Sequence, residues 1–512
     1  MTQGRSPQQK PSAPLAIRAA SLQTLAQETL DLLVIGGGIV GAGVVRDAAL
    51  RGLNAGLVEQ YDFAFGTSSR SSRLLHGGLR YLAQGRLGLV REASLEKQIL
   101  HTIAPHLAEP LPIIFPAFQE AQWPLWQMRI GVKIYDFLCG GKNLGKSGSL
   151  SRDQTIHQIP CLSQEGLKGA VRYFDAFTND ARLVLDTLRS AVKSGATVLN
   201  YLKFTDSTRE SSHWTCELED NESGQKVRVR ARAIVNATGP WAEGLAHSQV
   251  KLRLTKGIHL VIERQRLPIP EAIAITQGKR LLFVIPWGQR LIIGTTDTDY
   301  SGSLDDVHPD TEDVRYVLKT INRFFPKAPL TESDIISSWA GVRPLIASPE
   351  HAPSDATRSH QLLNPEPGWW DLAGGKLTTY RLMAEQTLGQ VIRWLKKTSY
   401  SKMEQEYAHC RTAEEPLLAR KETEGVSGVL PPKFEREVLN HYCSQEWALH
   451  LDDVMVRRAG WQQYFGDLQS KAEQVAQWMA ELLHWTSDYQ FSELKRYRQS
   501  LEIHTPNVPI AD

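Results

Sequence analysis

The chain has 512 residues with a formal net charge of +2, and 42% of its residues are hydrophobic and 22% charged. This length allows two or three domains, and the balanced charge gives no reason to expect nucleic acid as a partner. The five cysteines are scattered and form no C-x-x-C pair, so the sequence favours reduced thiols and predicts no metal site.

The N-terminal stretch 1–28 is largely polar and rich in Pro, Gln and Ala. It lacks the continuous apolar core of a signal peptide, and we expect a disordered leader. No run of about eighteen apolar residues occurs in the sequence, so no membrane-spanning helix is expected.

A dinucleotide-binding motif follows over 31–59. A short apolar run, typical of a buried parallel strand, leads into G-x-G-x-x-G at the start of a helix. The glycines allow a tight turn, close approach of a pyrophosphate and close helix–strand packing, and the helix N-terminus attracts phosphate. A second strand ends on a carboxylate suited to an adenosine ribose. The predicted contacts to the dinucleotide are Gly36, Gly38, Ile39, Gly41 and Glu59.

A loop rich in Ser and Gly comes next, and its hydroxyls suit a pyrophosphate and a ribityl chain. Its candidate cofactor contacts are Thr67, Ser68, Ser69, Ser72, Gly77, Gly78 and Leu79. Helical spacing then predicts helices over 87–103, over 123–138 and from Asn179 or Asp180 to Lys193, with an extended or looped segment at 105–116.

The predicted helix over 123–138 carries an apolar stripe with basic residues beside it. The stripe consists of Trp126, Ile130, Ile134 and Phe137, and the flanking cations are Arg129 and Lys133. Such a stripe is typical of a helix that lies in a lipid headgroup layer or of one that packs on the protein core.

The second half of the chain alternates strands with two more glycine turns. A hairpin is predicted over 213–232, mostly strand over 251–300, a linker over 400–433 and mainly helix over 435–501. The first motif alone permits NAD or FAD. Strand-to-turn segments at 234–239 and 374–379 favour FAD, because a long cofactor needs contacts from distant parts of the chain.

We therefore predict an α/β fold with a discontinuous Rossmann-like FAD-binding domain, an inserted antiparallel-sheet substrate domain and a C-terminal helical domain. The expected boundaries are a leader at 1–28, an FAD-binding domain at 29–105, 170–245 and 336–396, a substrate domain at 106–169 and 246–335, and a linker with the helical domain at 397–512.

Several segments match a known family. The chain resembles FAD-dependent glycerol-3-phosphate dehydrogenase, a flavoprotein related to D-amino-acid oxidase-like folds. The match runs from about Asp31 to Arg381 and includes 446–458, while the connection between these parts looks shorter than usual. The segments that carry it include GGGIVGAGVVRDAALRG, TSSRSSRLLHGGLRYL, VNATGPW, LTKGIHLVI, IIGTTDTDY, AGVRPL, GGKLTTYR and EWALHLDDVMVRR.

The resemblance implies oxidation of sn-glycerol 3-phosphate to dihydroxyacetone phosphate, with electrons passed from FAD to a quinone. It also implies a cytoplasmic protein bound peripherally to the inner face of a membrane, which favours the lipid reading of the stripe, and a homodimer is a further expectation. Arg343 and Arg358 match the family's phosphate-contacting arginines, whose forked guanidinium groups suit a phosphate.

Histidine suits proton transfer near neutral pH, and His259 is the candidate proton acceptor, with a structural role as its alternative. Lys376 is a candidate to stabilise the substrate oxygen or the flavin, and Arg80 and Tyr81 to close the pocket. The later glycine turns add Gly239, Trp241, Gly375, Lys376, Leu377 and Thr378 as cofactor contacts.

Four alternatives stay open at this point. They are a glycerol-3-phosphate oxidase that uses O₂, an amine or amino-acid oxidase of the same fold, a non-catalytic FAD-bound scaffold and an NAD enzyme.

Overall fold

In the computed structural model, the described residues are 13–82, 85–119, 123–141, 143–278, 280–347, 360–398 and 407–504. The apolar run of the dinucleotide motif forms a strand that is buried from Leu30 to Ile35. The predicted helices are confirmed over Leu87–Ile103, Leu125–Leu138 and Asp180–Lys193, the last capped by the side chain of Asn179.

Strands and helices alternate along the first part of the chain, strands dominate the middle, and helices form the end. The strands are β1 (Thr29–Ile35), β2 (Ala55–Val58), β3 (Leu74–Leu75), β4 (Glu109–Phe118), β5 (Gly148–Ser151), β6 (Leu167–Phe177), β7 (Thr197–Leu199), β8 (Leu202–Arg209), β9 (Trp214–Asp220), β10 (Lys226–Asn236), β11 (Leu252–Glu263), β12 (Ala272–Gln277), β13 (Arg280–Trp287), β14 (Arg290–Gly294), β15 (Thr298–Asp299), β16 (Ile335–Ile346), β17 (His360–Glu366) and β18 (Trp369–Gly374). The helices are α1 (Ala13–Gln27), α2 (Ile39–Leu50), α3 (Leu87–Ile103), α4 (Leu125–Leu138), α5 (Arg152–Gln158), α6 (Asp180–Lys193), α7 (Thr311–Phe324), α8 (Tyr380–Thr398), α9 (Arg420–Thr423), α10 (Arg436–Gln445), α11 (Trp461–Tyr464), α12 (Leu468–Leu483) and α13 (Ser487–His504).

The first sheet is the expected nucleotide-binding sheet. Its strand order is β17-β18-β10-β1-β2-β7, and β18, β10, β1, β2 and β7 run parallel. The predicted hairpin is confirmed as β9 and β10. Helices α2, α6 and α8 contribute to one hydrophobic core with this sheet. Because the four strands β18, β10, β1 and β2 are neighbours and parallel, their carboxyl ends meet at one edge.

The second sheet is mostly antiparallel, with the order β15-β11-β14-β13-β12-β4-β6-β3, and β16 pairs with β11. Its two faces belong to separate hydrophobic clusters. Helices α3 and α4 pack into the cluster on one face, and α7 packs into the cluster on the other. The mixed α/β class with an antiparallel sheet beside a parallel one is thus as predicted.

The sheets divide the chain differently from the expected domain boundaries at two places. β6 (Leu167–Phe177) pairs with β4 in the second sheet, although 170–245 was expected in the FAD-binding domain. β16 (Ile335–Ile346) pairs with β11 in the second sheet as well, although 336–396 was expected in that domain. Both strands contain runs of consecutive buried residues, which are compatible with either sheet, so only their pairing assigns them.

The prediction of a disordered leader is wrong for the described part of 1–28. Residues Ala13–Gln27 form α1, in which Leu25 is fully buried. The guanidinium of Arg18 donates to the Asn200 carbonyl at 2.7 Å and pairs with Asp220 at 2.5 Å. From residue 13 onward, the polar composition reflects a helix that contributes few side chains to the core.

The predicted linker over 400–433 is, in its described part from 407, a packed segment. Arg46 of α2 donates to the carbonyl of Glu415 at 2.7 Å, and Leu417 lies in the core of the first sheet. The helical region that follows is tied to α6, which packs on the same sheet, by the buried pair of Arg182 and Glu446 at 2.5 Å. The described part of the segment therefore packs against the helices of the first sheet.

Candidate active site

Four neighbouring strands of the first sheet end at predicted site segments. β1 leads to Gly36, β10 to Gly239, β18 to Gly374 and β2 to Glu59. Neighbouring strands lie about 4.8 Å apart, so the four ends span about 14 Å. All four segments border one cavity of about 700 Å³, which continues to the second sheet at His259.

The first glycine turn has no room for side chains. Gly36 has a φ of +109°, and a Cβ there would lie 2.6 Å from the carbonyl oxygen of Ala237. A Cβ on Gly41 would lie 1.9 Å from the carbonyl oxygen of Gly36. Helix α2 begins at Ile39, and its first N–H groups need acceptors from outside the helix. The turn therefore presents backbone donors to the cavity, as an anionic pyrophosphate requires.

The carboxylate of Glu59 lies beside this turn. It accepts hydrogen bonds from the N–H of Gly37 at 2.7 Å and the N–H of Tyr61 at 2.9 Å. Burial raises the pKa of the Glu59 carboxyl, while these two hydrogen bonds favour the charged form. A carboxylate has further lone pairs, so Glu59 can still accept from the hydroxyls of a ribose.

The hydroxyl loop after β2 contacts both sheets. Ser68 Oγ accepts from the N–H of Ile39 at 3.0 Å, and Thr67 Oγ1 donates to the carbonyl of Val342 at 2.6 Å. Thr67 and Ser68 border the cavity, whereas Ser69 is buried outside its lining. The loop thus connects the N-terminus of α2, which packs on the first sheet, with β16 of the second sheet.

The glycine loop over 76–79 docks on the third glycine turn. Thr378 Oγ1 accepts from the N–H of His76 at 3.0 Å. Gly78 and Leu79 border the cavity, while Thr378 is buried behind it. The predicted contacts of this turn and of the turn after β10 that do border the cavity are Gly239, Trp241, Gly375, Lys376 and Leu377.

A cation lies at the third turn. The ammonium of Lys376 is 4.3 Å from the centroid of the Tyr81 ring, and Tyr81 itself is buried. An aromatic face attracts a cation at this distance. The structure therefore brings together the two predicted residues: Lys376 lines the cavity, and Tyr81 packs behind it.

His259 is buried on β11 and faces the cavity. Its Nε2 lies 2.8 Å from Ser72 Oγ, and its ring stacks on Trp339 with 5.1 Å between centroids. Its Nδ1 is buried and has no hydrogen-bond partner among the described residues. Burial, together with the positive charges of Arg343 and Arg73, holds the pKa of His259 well below its usual range. The imidazole is therefore neutral at physiological pH and able to accept a proton.

Arg343 on β16 borders the same cavity and is oriented by the turn after β14. Its guanidinium donates to Thr295 Oγ1 at 2.9 Å and to the Thr296 carbonyl at 3.3 Å. It also pairs with the carboxylate of Asp297 at 3.2 Å. These contacts fix the plane of the guanidinium, and a fixed fork is suited to a phosphate.

Two predicted residues receive no structural test. Arg358 lies outside the described residues. Arg80 lies in the short helical turn Leu79–Tyr81, and its side chain is outside the described part of the chain. Their proposed roles stay predictions.

The structure also shows polar residues that the sequence reasoning missed. Asp175 borders the cavity, and its carboxylate accepts from Lys97 Nζ at 3.0 Å, from Tyr135 OH at 2.5 Å and from the N–H of Gly77 at 3.1 Å. This buried cluster, rather than a cofactor contact, is the role that the structure shows for Gly77. Alternation along β6 places Tyr173 and Asp175 on one face, which was the available signal.

The described residues fit an FAD. Three features lie in a row across the strand ends. They are glycines at which a Cβ would not fit, the N-terminus of α2, and the Glu59 carboxylate suited to a ribose. The third turn and the second sheet then close the cavity at its far end, where the neutral His259 and the cationic Arg343 lie. NAD would need only the first part of this row, so the length of the site favours the larger dinucleotide.

Comparison with known proteins agrees with this reading. A family described as FAD dependent oxidoreductase matches residues 31–380. An aerobic glycerol-3-phosphate dehydrogenase of Bacillus subtilis is 37% identical over 448 residues, which cover 83% of this chain and 80% of the relative. One from Staphylococcus aureus is 37% identical over 391 residues, covering 73% of this chain and 69% of the relative.

Solved structures share the fold. The glycerol-3-phosphate dehydrogenase of Bacillus halodurans complexed with FAD has a TM-score of 0.74 and 27% identity, and the match covers 98% of this chain and 100% of that one. An L-alpha-glycerophosphate oxidase of Mycoplasma pneumoniae with FAD bound has a TM-score of 0.59 at 17% identity, covering 72% of this chain and 96% of that one, and shows the fold alone.

Gly41→Ala is expected to lose FAD. The added Cβ would collide with the Gly36 carbonyl oxygen at 1.9 Å, so the turn and the helix must separate. Overpacking costs about 1–3 kcal/mol, which corresponds to about a fivefold to 150-fold loss of affinity. The flavin absorbance per protein after purification measures the effect. Gly389→Ala, also in a helix, is the control because a Cβ there meets nothing within 4 Å. Full flavin content in Gly41→Ala would contradict the assignment.

Proposed function

The chain belongs to the FAD-dependent oxidoreductase family and, within it, to the aerobic glycerol-3-phosphate dehydrogenases, and from this premise we propose how its site works. The enzyme oxidises sn-glycerol 3-phosphate to dihydroxyacetone phosphate. The observation that carries the proposal is the pairing of a neutral buried base, His259, with a fixed guanidinium, Arg343, at the far end of an FAD-shaped cavity.

Arg343 holds the phosphate in this proposal. Thr295 and Asp297 orient the guanidinium, and its forked N–H groups donate to the dianion, which fixes the glycerol backbone. Since charge-assisted hydrogen bonds are shorter and stronger than neutral ones, this contact contributes most of the binding specificity.

In this proposal Nε2 of His259 accepts the proton of the C2 hydroxyl. Ser72 Oγ lies 2.8 Å from this nitrogen, at the position that we propose for the substrate hydroxyl. The stacked Trp339 ring keeps the imidazole plane fixed. A bound FAD supplies the hydride acceptor for C2, so that alcohol oxidation proceeds as combined loss of a proton and a hydride. The low pKa of His259 keeps the imidazole unprotonated in the neutral range but also makes it a weak base, so in this proposal the phosphate dianion, by offsetting the charge of Arg343, raises the proton affinity of His259.

Lys376 places positive charge at the cavity wall, where it stabilises negative charge that develops on the substrate oxygen or the flavin. We propose that Arg80 and Tyr81 close the pocket and that Arg358 adds a second phosphate contact. The positive charges of Lys376, Arg80 and Arg358 would favour an anionic substrate and disfavour the ammonium group of an amine or amino acid.

The electron acceptor in this proposal is a membrane quinone, and helix α4 supports it. Trp126, Ile130, Ile134 and Phe137 are exposed by 60, 52, 40 and 81%, whereas Met128, Val132 and Tyr135 on the opposite face are buried. The apolar stripe therefore does not pack on the core that the described residues form. None of the described helices is both long and apolar enough to cross a bilayer.

We propose that α4 lies in the headgroup layer on the cytoplasmic side of a membrane. Its exposed apolar side chains enter the acyl boundary, and Arg129 and Lys133 on the same helix attract anionic lipid.

The homodimer stays a prediction.

Arg343→Ala is expected to raise KM for glycerol 3-phosphate about 100-fold with FAD still bound, because the loss of charge-assisted hydrogen bonds costs about 3 kcal/mol. Steady-state kinetics measures it, and Arg343→Lys should recover part of the loss. Arg266→Ala is the control, since Arg266, in the helical turn after β11, forms an exposed pair with Asp334 outside the cavity lining. An unchanged KM in Arg343→Ala would contradict the proposal that Arg343 binds the substrate phosphate.

The double variant Trp126→Ser, Ile130→Ser is expected to lose vesicle binding. Burying one large apolar side chain contributes about 1.5–3 kcal/mol, so losing two should reduce the bound fraction at least about tenfold. Flotation with vesicles of anionic phospholipid measures it. Phe491→Ser is the matched control because Phe491 is 67% exposed on α13. Equal flotation of the double variant and the unchanged protein would refute the membrane contact.

A further inference from the structure

Arg73 is a buried arginine next to the serine that contacts His259. It follows Ser72, whose Oγ lies 2.8 Å from His259 Nε2, and it directly precedes β3. Only 3% of Arg73 is exposed, and its φ of +56° lies in the left-handed region that residues other than glycine rarely adopt. Because a strained backbone persists only where the surrounding structure requires it, the fold specifies the placement of this side chain.

Two indole rings hold the Arg73 guanidinium. Its central carbon lies 4.4 Å from the centroid of the Trp287 ring and 5.2 Å from that of Trp339, as expected for a cation on an aromatic face. Trp339 also stacks on the His259 ring, with 5.1 Å between centroids and 20° between planes. Its indole N–H donates to the Ser71 carbonyl at 3.3 Å. One fixed indole therefore contacts both the cation and the imidazole.

A structural ion pair does not account for Arg73. Its Nε is 4.0 Å from Asp180 Oδ1, which is too long for a hydrogen bond. Nε and Nη1 are buried and have no hydrogen-bond partner among the residues that the structure describes. The Asp180 carboxylate instead accepts from the N–H of Ser71 at 2.8 Å and from the N–H of Ala181 at 3.0 Å. A buried ion pair offsets its desolvation only with close, hydrogen-bonded geometry, so the charge of Arg73 stays poorly compensated.

Charged groups surround His259 on several elements. Burial, followed by the positive charges of Arg343 and Arg73, holds the pKa of His259 well below its usual range. Burial also lowers the pKa of Arg73, but an arginine starts so far above neutrality that its guanidinium stays charged. The other titratable groups around this end of the cavity are Asp297 beside Arg343, Asp180 beside Arg73, Arg70, Tyr173, Asp175 and Lys376.

The two cations that act on His259 differ in their access to substrate. Arg343 borders the cavity, where the proposed phosphate dianion offsets its charge. Arg73 lies outside the lining that the described residues form and is held between Trp287 and Trp339. The positive charge of Arg73 therefore persists when the substrate binds, whereas that of Arg343 is offset.

From this arrangement we infer that Arg73 is a positioning residue of the reaction, which places a permanent positive charge behind Trp339 and so keeps His259 unprotonated while the substrate phosphate is bound. Without this charge, binding of the dianion would let His259 take up a proton from solvent. An imidazole that is already protonated at Nε2 cannot accept the proton of the C2 hydroxyl. The inference rests on the proposed function for the role of His259.

Arg73→Gln removes the charge and is expected to shift the pH dependence of flavin reduction. The limiting rate of bleaching at saturating glycerol 3-phosphate is measured anaerobically by stopped flow between about pH 5 and about pH 9, and its fall at acid pH reports protonation of His259 in the complex. The ring distances place the cation within about 10 Å of the imidazole, so the midpoint of this fall should rise by about one pH unit. Arg73→Lys keeps the charge and should keep the midpoint within about 0.3 pH unit.

Arg290→Gln is the matched control and should leave the midpoint unchanged. Arg290 lies on β14 of the same sheet and also contacts an aromatic ring, that of Tyr464 at 5.4 Å, but it is paired with the carboxylate of Glu263. Protonation of the substrate phosphate is common to all variants, so it does not alter the difference between their midpoints. Slower bleaching in Arg73→Gln with an unshifted midpoint would show a merely structural role and overturn the inference.

Asp180→Asn decides the question if Arg73→Gln does not retain FAD. Loss of the carboxylate beside Arg73 leaves the cation less compensated, so the midpoint should fall. An unchanged or raised midpoint would overturn the inference. His259→Gln separates this inference from the proposed function, because a fall in rate at acid pH that persists unchanged in that variant would contradict the proposed base itself.

Discussion

Parallel pairing of β18, β10, β1 and β2 is the constraint on which the site depends. These strands come from parts of the chain separated by more than three hundred residues, yet parallel neighbours must end at the same edge of a sheet. Gly36, Gly239 and Gly375 and the carboxylate of Glu59 therefore line one cavity. The close approach of Gly36 to the Ala237 carbonyl shows how tightly two of these turns pack, and it leaves no alternative to glycine.

The second sheet supplies the chemistry at the far end of this row. His259 and Trp339 are paired across β11 and β16, and Arg343 follows on the same strand as Trp339. Burial between the sheets keeps the imidazole neutral, while the threonine and aspartate turn after β14 holds the guanidinium in place. His259 and the cation that suits a phosphate thus lie together at the end of the cavity formed by the second sheet.

The sequence alone was enough to predict the first sheet and its glycine turns, because strand, turn and helix follow one another locally in each motif. The sequence also predicted the apolar stripe of α4, but it left open whether the stripe packs on the core or is exposed, since the same pattern is typical of both. The burial of Met128, Val132 and Tyr135 shows that the other face of the helix packs on the core. The cluster of Asp175 with Lys97 and the orientation of Arg343 by Asp297 depend on tertiary pairing. The leader was misjudged because α1 contributes few buried side chains, of which Leu25 is one.

Anaerobic addition of glycerol 3-phosphate to the purified, flavin-loaded protein tests the central claim most directly. If the three glycine turns hold a single FAD against His259 and Arg343, the flavin absorbance bleaches rapidly, and a quinone analogue restores it. A flavin-loaded protein whose spectrum does not change on addition of this substrate would contradict the account.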